Sequence, residues 1–198
     1  MTGVRAYLAG ILIVSGALQA SGAAAADDKG EFGIRGAGLV KCSRYNQERE
    51  ARSEVYHIIA AWMDGYITGA NQHADDTYDI VSFESTELLA ALVSENCKKY
   101  PDVPLFAVLR LIIKKASANR LHAPSKKVEV EQGERKVYLY EEVLRRTQQK
   151  LASAGFYKGP INGTYDAKTQ EALKAYQTSI KLRPTGFPDQ LTLWRLFN

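Results

Sequence analysis

The last third of the chain contains three short amphipathic segments. Within each segment, side chains three and four residues apart share one face of a helix. The inward positions are Leu144, Gln148 and Leu151; Thr169, Ala172, Leu173 and Tyr176; and Leu193 and Leu196. Turns that contain both Gly and Pro separate the segments, at residues 159–163 and 183–188. The pattern predicts a three-helix module over residues 138–198, near the lower size limit for an independent core.

A second helical pattern lies upstream, within residues 27–120. A broad apolar stripe predicts one long helix from Glu48, with Val55, Ile58, Ile59, Trp62, Met63, Tyr66, Ile67 and Ala70 on it. Two shorter helices are predicted at residues 86–97 and 105–115. Gly65 and Gly69 lie inside the long helix, where each costs up to about 1 kcal/mol relative to Ala. We therefore expect another backbone to approach this helix closely.

The connector at residues 121–137 allows two interpretations. Apolar and charged residues alternate over Lys126–Glu131 and again after Gly133, as in a short hairpin. A solvated linker is equally economical, because two valines bury little surface. The whole pattern predicts a mainly α protein, with a small helical domain at 27–120, a linker at 121–137 and the three-helix module at 138–198.

Residues 1–26 have the features of a secretory signal peptide. Arg5 is the only charge, Leu8–Val14 form a short apolar core, and Ala24–Ala26 offer small residues for cleavage. The alternative is an uncleaved membrane anchor, since residues 6–26 carry no charge. We expect cleavage, a periplasmic location and no membrane span in the mature chain.

Export affects how the two cysteines, Cys42 and Cys97, are interpreted. Cysteines outside the cytoplasm tend to pair, so a disulfide within the first domain is favoured. The alternative is a reactive thiol. No C-x-x-C motif and no adjacent His is present to activate one.

The sequence contains no convincing catalytic constellation. Neither His57 nor His122 has a partner at metal-ligand spacing, and no zinc-protease or serine-hydrolase motif occurs. The loop His73–Asp79 gathers His and Asp side chains, but it lacks the Gly and the closing Glu of a calcium loop, so a polar loop is preferred to a cation site. We expect no enzyme activity, no metal and no cofactor.

The charge balance is modestly basic. The chain carries a formal charge of +4, and residues 138–198 contain nine basic and five acidic residues. No basic stripe with interleaved aromatics is present, so we expect no nucleic-acid partner. Positive charge on the C-terminal module would favour encounter with an anionic polymer.

Many residues of the C-terminal module follow a recognisable order. They are Leu144, Gln148, Leu151, Gly155, Phe156, Tyr157, Gly159, Ile161, Asn162, Gly163, Tyr165, Asp166, Thr169, Ala172, Leu173, Tyr176, Gln177, Leu182, Gly186, Asp189, Thr192 and Leu196. This order resembles the peptidoglycan-binding domain at the ends of many bacterial cell-wall hydrolases. The resemblance implies a three-helix fold with peptidoglycan as the ligand. The chain departs from the family's usual pattern at Lys181, where Gly is common, and at Asn162 and Thr185, where Asp is common.

Sugars stack on aromatic rings, and peptide stems accept hydrogen bonds from amide and basic groups. Residues of these types in the turns are the candidate peptidoglycan contacts: Tyr157, Asn162, Tyr165 and Arg183. We assign Phe156 and Tyr176 to the core, because they follow the apolar periodicity.

The first domain has a weaker resemblance, carried by its cysteine pair and by the segments Trp62–Asn71 and Glu95–Pro101. It is similar to small exported helical proteins that include acid-stress periplasmic chaperones and immunity proteins, which implies a binding module without catalysis. We therefore expect a wall-binding protein whose C-terminal module localises a protein-binding domain. The alternatives are a chaperone or immunity protein, and a wall hydrolase with its site in the first domain.

Overall fold

A computed structural model describes Asp27, Lys29 and residues 31–198. The predicted signal segment therefore lies outside the described residues. Residues 33–198 form one compact unit, and seven α-helices and one β-hairpin make up its regular structure, apart from two short 3-10 turns. The prediction of a mainly α fold is confirmed. Among the described residues, no helix is long and apolar enough to cross a membrane.

Four helices build the first part of this unit. They are α1 (Cys42–Glu50), α2 (Glu54–His73), α3 (Thr86–Lys99) and α4 (Leu105–Ala116). The prediction of one long helix from Glu48 was wrong at its start. Arg52 adopts a left-handed φ of 48°, and the Ser53 hydroxyl accepts a hydrogen bond from the backbone N–H of Tyr56 at 3.1 Å. This cap begins a new helix, because it satisfies a donor that a continuous helix would bond internally.

The core of these helices is apolar and includes a disulfide. Ile59 and Met63 of α2 pack with Leu89 of α3 and Leu109 of α4, all nearly inaccessible to solvent. The disulfide joins Cys42 of α1 to Cys97 of α3, as predicted.

The expected close approach at Gly65 and Gly69 was wrong within the described chain. A Cβ atom added at either glycine would meet no other atom within 4 Å. This face of α2 is therefore open.

The connector is a hairpin and not a solvated linker. Strand β1 (Lys127–Gln132) pairs antiparallel with β2 (Arg135–Tyr140). Gly133 begins the two-residue turn with a φ of 60°, as such turns require. Val130 and Leu139 are buried, so the hairpin packs on the rest of the chain by one face.

Three helices follow: α5 (Glu141–Ser153), α6 (Ala167–Ser179) and α7 (Gln190–Phe197). They confirm the predicted three-helix module. Asp166 and Asp189 cap α6 and α7, each accepting a backbone N–H bond at 2.8 Å from the Thr three residues later. Such caps are worth about 1 kcal/mol each.

The two sequence regions share one core. Phe83, from the loop between α2 and α3, stacks on Phe197 of α7 with ring centroids 5.1 Å apart. The Gln190 side chain donates to the Phe83 carbonyl at 2.8 Å and accepts from the Ser85 N–H at 2.7 Å. Leu121 and Leu139 are buried in the same cluster. The hairpin and the C-terminal helices are thus held in fixed positions against the first four helices.

Candidate functional site

Gln148 of α5 organises the turn between α5 and α6. It is fully buried. Its Oε1 accepts from the backbone N–H groups of Asn162 at 2.9 Å and Gly163 at 2.8 Å. Its Nε2 donates to the Thr164 carbonyl at 2.9 Å and the Thr169 hydroxyl at 3.0 Å. One neutral amide therefore satisfies both the donors and the acceptors of the turn.

Gln177 of α6 does the same for the turn between α6 and α7. Its Oε1 accepts from the Gly186 N–H at 2.7 Å, and its Nε2 donates to the Phe187 carbonyl at 2.9 Å. A further bond reaches the Thr192 hydroxyl at 3.0 Å. The side chain of Gln177 is also fully buried.

The two turns are built to one plan. Gly163 and Gly186 both have a φ of 74°. An added Cβ would lie 2.7 Å from the Glu141 carbonyl oxygen in the first case and 2.8 Å from the Gln170 carbonyl oxygen in the second. Both glycines precede an Asp by three residues and a Thr by six. This Gly-x-x-Asp-x-x-Thr repeat is visible in the sequence and marks both turns.

Tyr157 does not lie at the surface, contrary to the sequence-based expectation. It is only 4% exposed, and its hydroxyl donates to the Pro160 carbonyl at 2.8 Å. Phe156 is the more accessible of the two rings and packs edge-on against Tyr176. Tyr157 therefore supports the turn from inside and is not positioned to stack on a ligand.

Tyr165 connects the two turns. Its hydroxyl donates to the Gly186 carbonyl at 2.9 Å, and its ring is half-buried between two parts of the core. Burial raises the pKa of Tyr165 to about 12, so the phenol stays protonated and can keep donating at neutral pH.

Asn162 and Arg183 are exposed, as a ligand contact requires. The side-chain oxygen of Asn162 accepts from the Thr164 N–H at 2.9 Å and from Gln148 at 3.2 Å. Its side-chain nitrogen has no hydrogen-bond partner among the described residues and can donate to a ligand. Arg183 has no ion-pair partner among the described residues.

A groove of about 500 Å³ runs between strand β1 and the first turn. Two of the four predicted residues, Asn162 and Tyr165, line it. Residues 128–131 of β1 form the opposite wall, and Leu144 and Glu141 of α5 complete the lining. Gln132 at the end of β1 donates to the Thr185 carbonyl at 2.9 Å, which fastens this wall to the second turn. The groove does not include Tyr157 or Arg183.

Comparison with protein families gives a match over residues 141–196, to the family described as a putative peptidoglycan binding domain. The C-terminal module is a peptidoglycan-binding domain. The match supports peptidoglycan binding and association with the cell wall. A search of curated proteins and a search of solved structures found no match. The resemblance of the first domain to acid-stress chaperones stays a prediction.

One departure from the family pattern has a structural consequence in the peptidoglycan-binding domain. Lys181, which stands where Gly is common, has a φ of 60°. The backbone therefore keeps the left-handed conformation that glycine adopts easily, at the end of α6. The fold tolerates this departure.

The groove beside the peptidoglycan-binding domain is acidic. Glu129, Glu131 and Glu141 line it together with Lys126. Lys136, outside the lining, forms ion pairs with Glu129 at 3.1 Å and Glu131 at 3.4 Å, so the acidic groups still outnumber the cations by one. Hydrogen bonds from the Tyr138 hydroxyl and the Lys136 ammonium hold the pKa of Glu129 below its usual value. Glu129 therefore remains ionised at neutral pH and presents a fixed carboxylate.

Sequence reasoning missed Glu129, Tyr138 and Glu141. Tyr138 does not line the groove, but it lies directly across the hairpin from Glu129, which does. It is 65% exposed, so its ring offers a flat apolar surface on the outer face of the hairpin. The signal was the alternation of Val137 and Leu139 around Tyr138, which places Tyr138 on the outer face of the strand if a hairpin forms.

Proposed function

We propose that this protein is an exported, periplasmic, non-catalytic wall-binding protein, and that the groove between β1 and the first turn holds peptidoglycan. The observation that carries the proposal is that the family-matched segment supplies one side of a groove of about 500 Å³. The proposed ligand of the groove is the peptidoglycan polymer. In this proposal the domain localises the first four helices at the wall.

The chemistry of the groove suits an uncharged or cationic part of the polymer. Carboxylates such as those of Glu129 and Glu141 accept hydrogen bonds from sugar hydroxyls, acetamido N–H groups or a stem-peptide amine. The exposed ring of Tyr138 can stack on a sugar face. Peptidoglycan contains both such hydrogen-bond donors and sugar rings.

The edge of strand β1 that does not pair with β2 adds main-chain N–H and C=O groups to this side of the groove. β1 pairs with β2 on one side only, and alternate residues of an antiparallel strand direct N–H and C=O away from the partner. An extended stem peptide can pair with such an edge.

In this proposal, the first four helices bind a protein partner through an exposed face of α2. Val55 and Ile58 of α2 are 42% and 65% exposed, and Gly65 leaves open space on the same helix. Exposed apolar residues beside small ones allow a second helix to pack closely. Capture of a partner that is lost with Ile58→Glu, but kept with Glu54→Lys, would support this function.

Co-sedimentation with insoluble peptidoglycan sacculi tests the wall-binding function. We expect the protein to sediment with sacculi, and Tyr138→Ala to weaken binding by about threefold to tenfold, which corresponds to a stacking contact. Tyr100→Ala is the matched control, because Tyr100 is 58% exposed on a different part of the protein.

Wild-type protein that stays in the supernatant at low salt would refute peptidoglycan binding. Wild-type sedimentation with no effect of Tyr138→Ala or Glu129→Gln would place the ligand outside this groove. Release of soluble muropeptides from the same sacculi would contradict the non-catalytic role.

A further inference from the structure

A second pocket, of about 370 Å³, lies on another face of α5 and differs from the groove in charge. Its basic lining residues are Arg146 and Lys150 from α5 and Arg120 and His122 from the segment before the hairpin. No carboxylate belongs to its lining within the described part of the chain. The helix period places Lys150 about 180° around α5 from Glu141 of the groove.

Main-chain oxygens hold the two guanidinium groups in place. Nη1 of Arg146 donates to the carbonyls of Asn119 and Arg120, both at 3.0 Å. Nη1 of Arg120 donates to the Ser117 carbonyl at 3.1 Å. These carbonyl oxygens hold the guanidinium groups without adding a formal negative charge. An anion therefore would not have to order these side chains when it binds, which lowers the entropic cost.

Two carboxylates lie near the pocket but outside its lining. Glu142 accepts from Nε of Arg146 at 2.9 Å, and Asp76 contacts His122 at 2.7 Å and Arg120 at 3.9 Å. The Nη2 group of Arg146 has no hydrogen-bond partner among residues 31–198. It therefore retains two N–H donors.

Lys150 supplies a cation without an ion-pair partner. Its ammonium lies 6.0 Å from the centroid of the Phe197 ring, and none of the ion pairs of the described residues includes it. Gln149 and Ser153, one turn of α5 apart, add neutral hydrogen-bonding groups to the same pocket. The pocket therefore combines positive charge, neutral hydrogen-bonding groups and the apolar ring of Phe197.

We propose that this pocket binds an oxyanion of the cell-wall polymer, with Arg146 and Lys150 as the principal contacts. The oxyanion is either a stem-peptide carboxylate or a phosphodiester of an attached polymer. Both present two or more oxygens to a guanidinium and an ammonium. The identity of the polymer rests on the proposed function, whereas the anion site rests on the pocket alone.

The two sites complement each other. The acidic groove suits donor groups and amines, and the basic pocket suits carboxylates or phosphates. Because the sites lie on different faces of α5, a substitution in one leaves the lining of the other unchanged.

Lys150→Gln and Lys150→Glu test the pocket in the full-length mature protein. Lys158→Gln is the control, since Lys158 is an exposed cation of the same domain that lines neither site. Calorimetry with a soluble muramyl peptide, inorganic phosphate and an uncharged chito-oligosaccharide separates the ligands. We expect Lys150→Gln to weaken binding of one anionic probe by about threefold, and Lys150→Glu by about tenfold.

If only the binding of the muramyl peptide depends on Lys150, the ligand is a stem-peptide carboxylate. If the binding of phosphate depends on Lys150, the ligand is a phosphodiester. Equal affinities for wild type and both Lys150 variants would overturn the proposed anion site. So would the absence of binding of either anionic probe. If sacculi binding fails but one probe binds in a Lys150-dependent way, the anion site stands and the proposed wall-binding function falls.

Discussion

Two buried glutamine side chains account for both turns of the peptidoglycan-binding domain. A buried polar group costs free energy unless every donor and acceptor is paired. Gln148 and Gln177 meet this requirement because each amide can accept and donate at the same time. Gly163 and Gly186 fit against them because a side chain there would collide with a carbonyl oxygen. The arrangement that the two turns share is thus set by their hydrogen bonds, and it leaves Asn162 at the surface.

Substitution of Gln148 by Leu keeps the volume and removes the hydrogen bonds. The backbone N–H groups of Asn162 and Gly163 would lose the oxygen that accepts from them, and the Thr164 carbonyl would lose its Gln148 donor. We expect the free energy of unfolding to fall by about 3 kcal/mol, which urea denaturation can measure. Gln149→Leu is the control, because Gln149 is exposed and should change stability by no more than about 0.5 kcal/mol. Equal losses for the two variants would contradict the account of the turn.

The loop between α2 and α3 is the element that joins the first helices to α7. Phe83 and Ser85 both contact the last helix, and Glu84 lies between them. Glu84 is only 8% exposed, and its Oε1 has no hydrogen-bond partner among the described residues. Burial raises the pKa of the Glu84 carboxyl to about 7. An ionisable group is therefore buried where this loop connects the first four helices to α7.

The raised pKa of Glu84 predicts a pH dependence of stability. The folded state holds the proton up to about pH 7, whereas the unfolded chain releases it near 4.5. Stability from this group is fully present below pH 4.5 and is lost as the pH rises to about 7, because the folded state binds more protons in that window. The loss is about 3 kcal/mol, from 1.36 kcal/mol for each pH unit.

Glu84→Gln removes this titration. We expect the variant to match the wild type near pH 4 and to be more stable near pH 8, by urea unfolding at both values. A pH-independent difference between the two proteins would show that Glu84 titrates normally. Glu50→Gln is the control, since Glu50 is an exposed carboxylate of α1 that forms no ion pair with the described residues.

In the whole molecule, the segment between the two sequence regions is part of the core. Val130 is 1% exposed, Leu139 is 2% exposed, and both pack with Leu144 and Leu193. Phe83 and Leu121 enter the same cluster from the other side. The groove and the anion pocket both depend on this packing, because each takes residues from α5 and from the segment before it.

Two fragments test the contribution of the hairpin. Residues 138–198 contain the three helices without β1, and residues 124–198 contain the complete hairpin as well. We expect the longer fragment to be more stable to urea by about 2 kcal/mol, which is the contribution of one buried Val with its neighbours. Identical unfolding midpoints would mean that the hairpin is a passive linker. An unfolded 138–198 fragment would be consistent with our expectation if the longer fragment folds.

The sequence by itself determined the local structure. The ends of α3 and α4 lie within about two residues of their prediction, because helix periodicity, proline and caps act over a few positions. The cysteine pair and the peptidoglycan-binding domain were also predicted from residues that lie in the sequence in a fixed order. These features depend on neighbours in the chain.

Only the tertiary structure decided which side chains face solvent and which surfaces meet. Tyr157 lies inside and Asn162 outside, although both flank the same turn, because burial depends on what packs against each one. The groove needs the register of the hairpin, and the anion pocket needs Arg146 to contact the segment before the hairpin. Such contacts join residues far apart in sequence, and no local pattern encodes their distances.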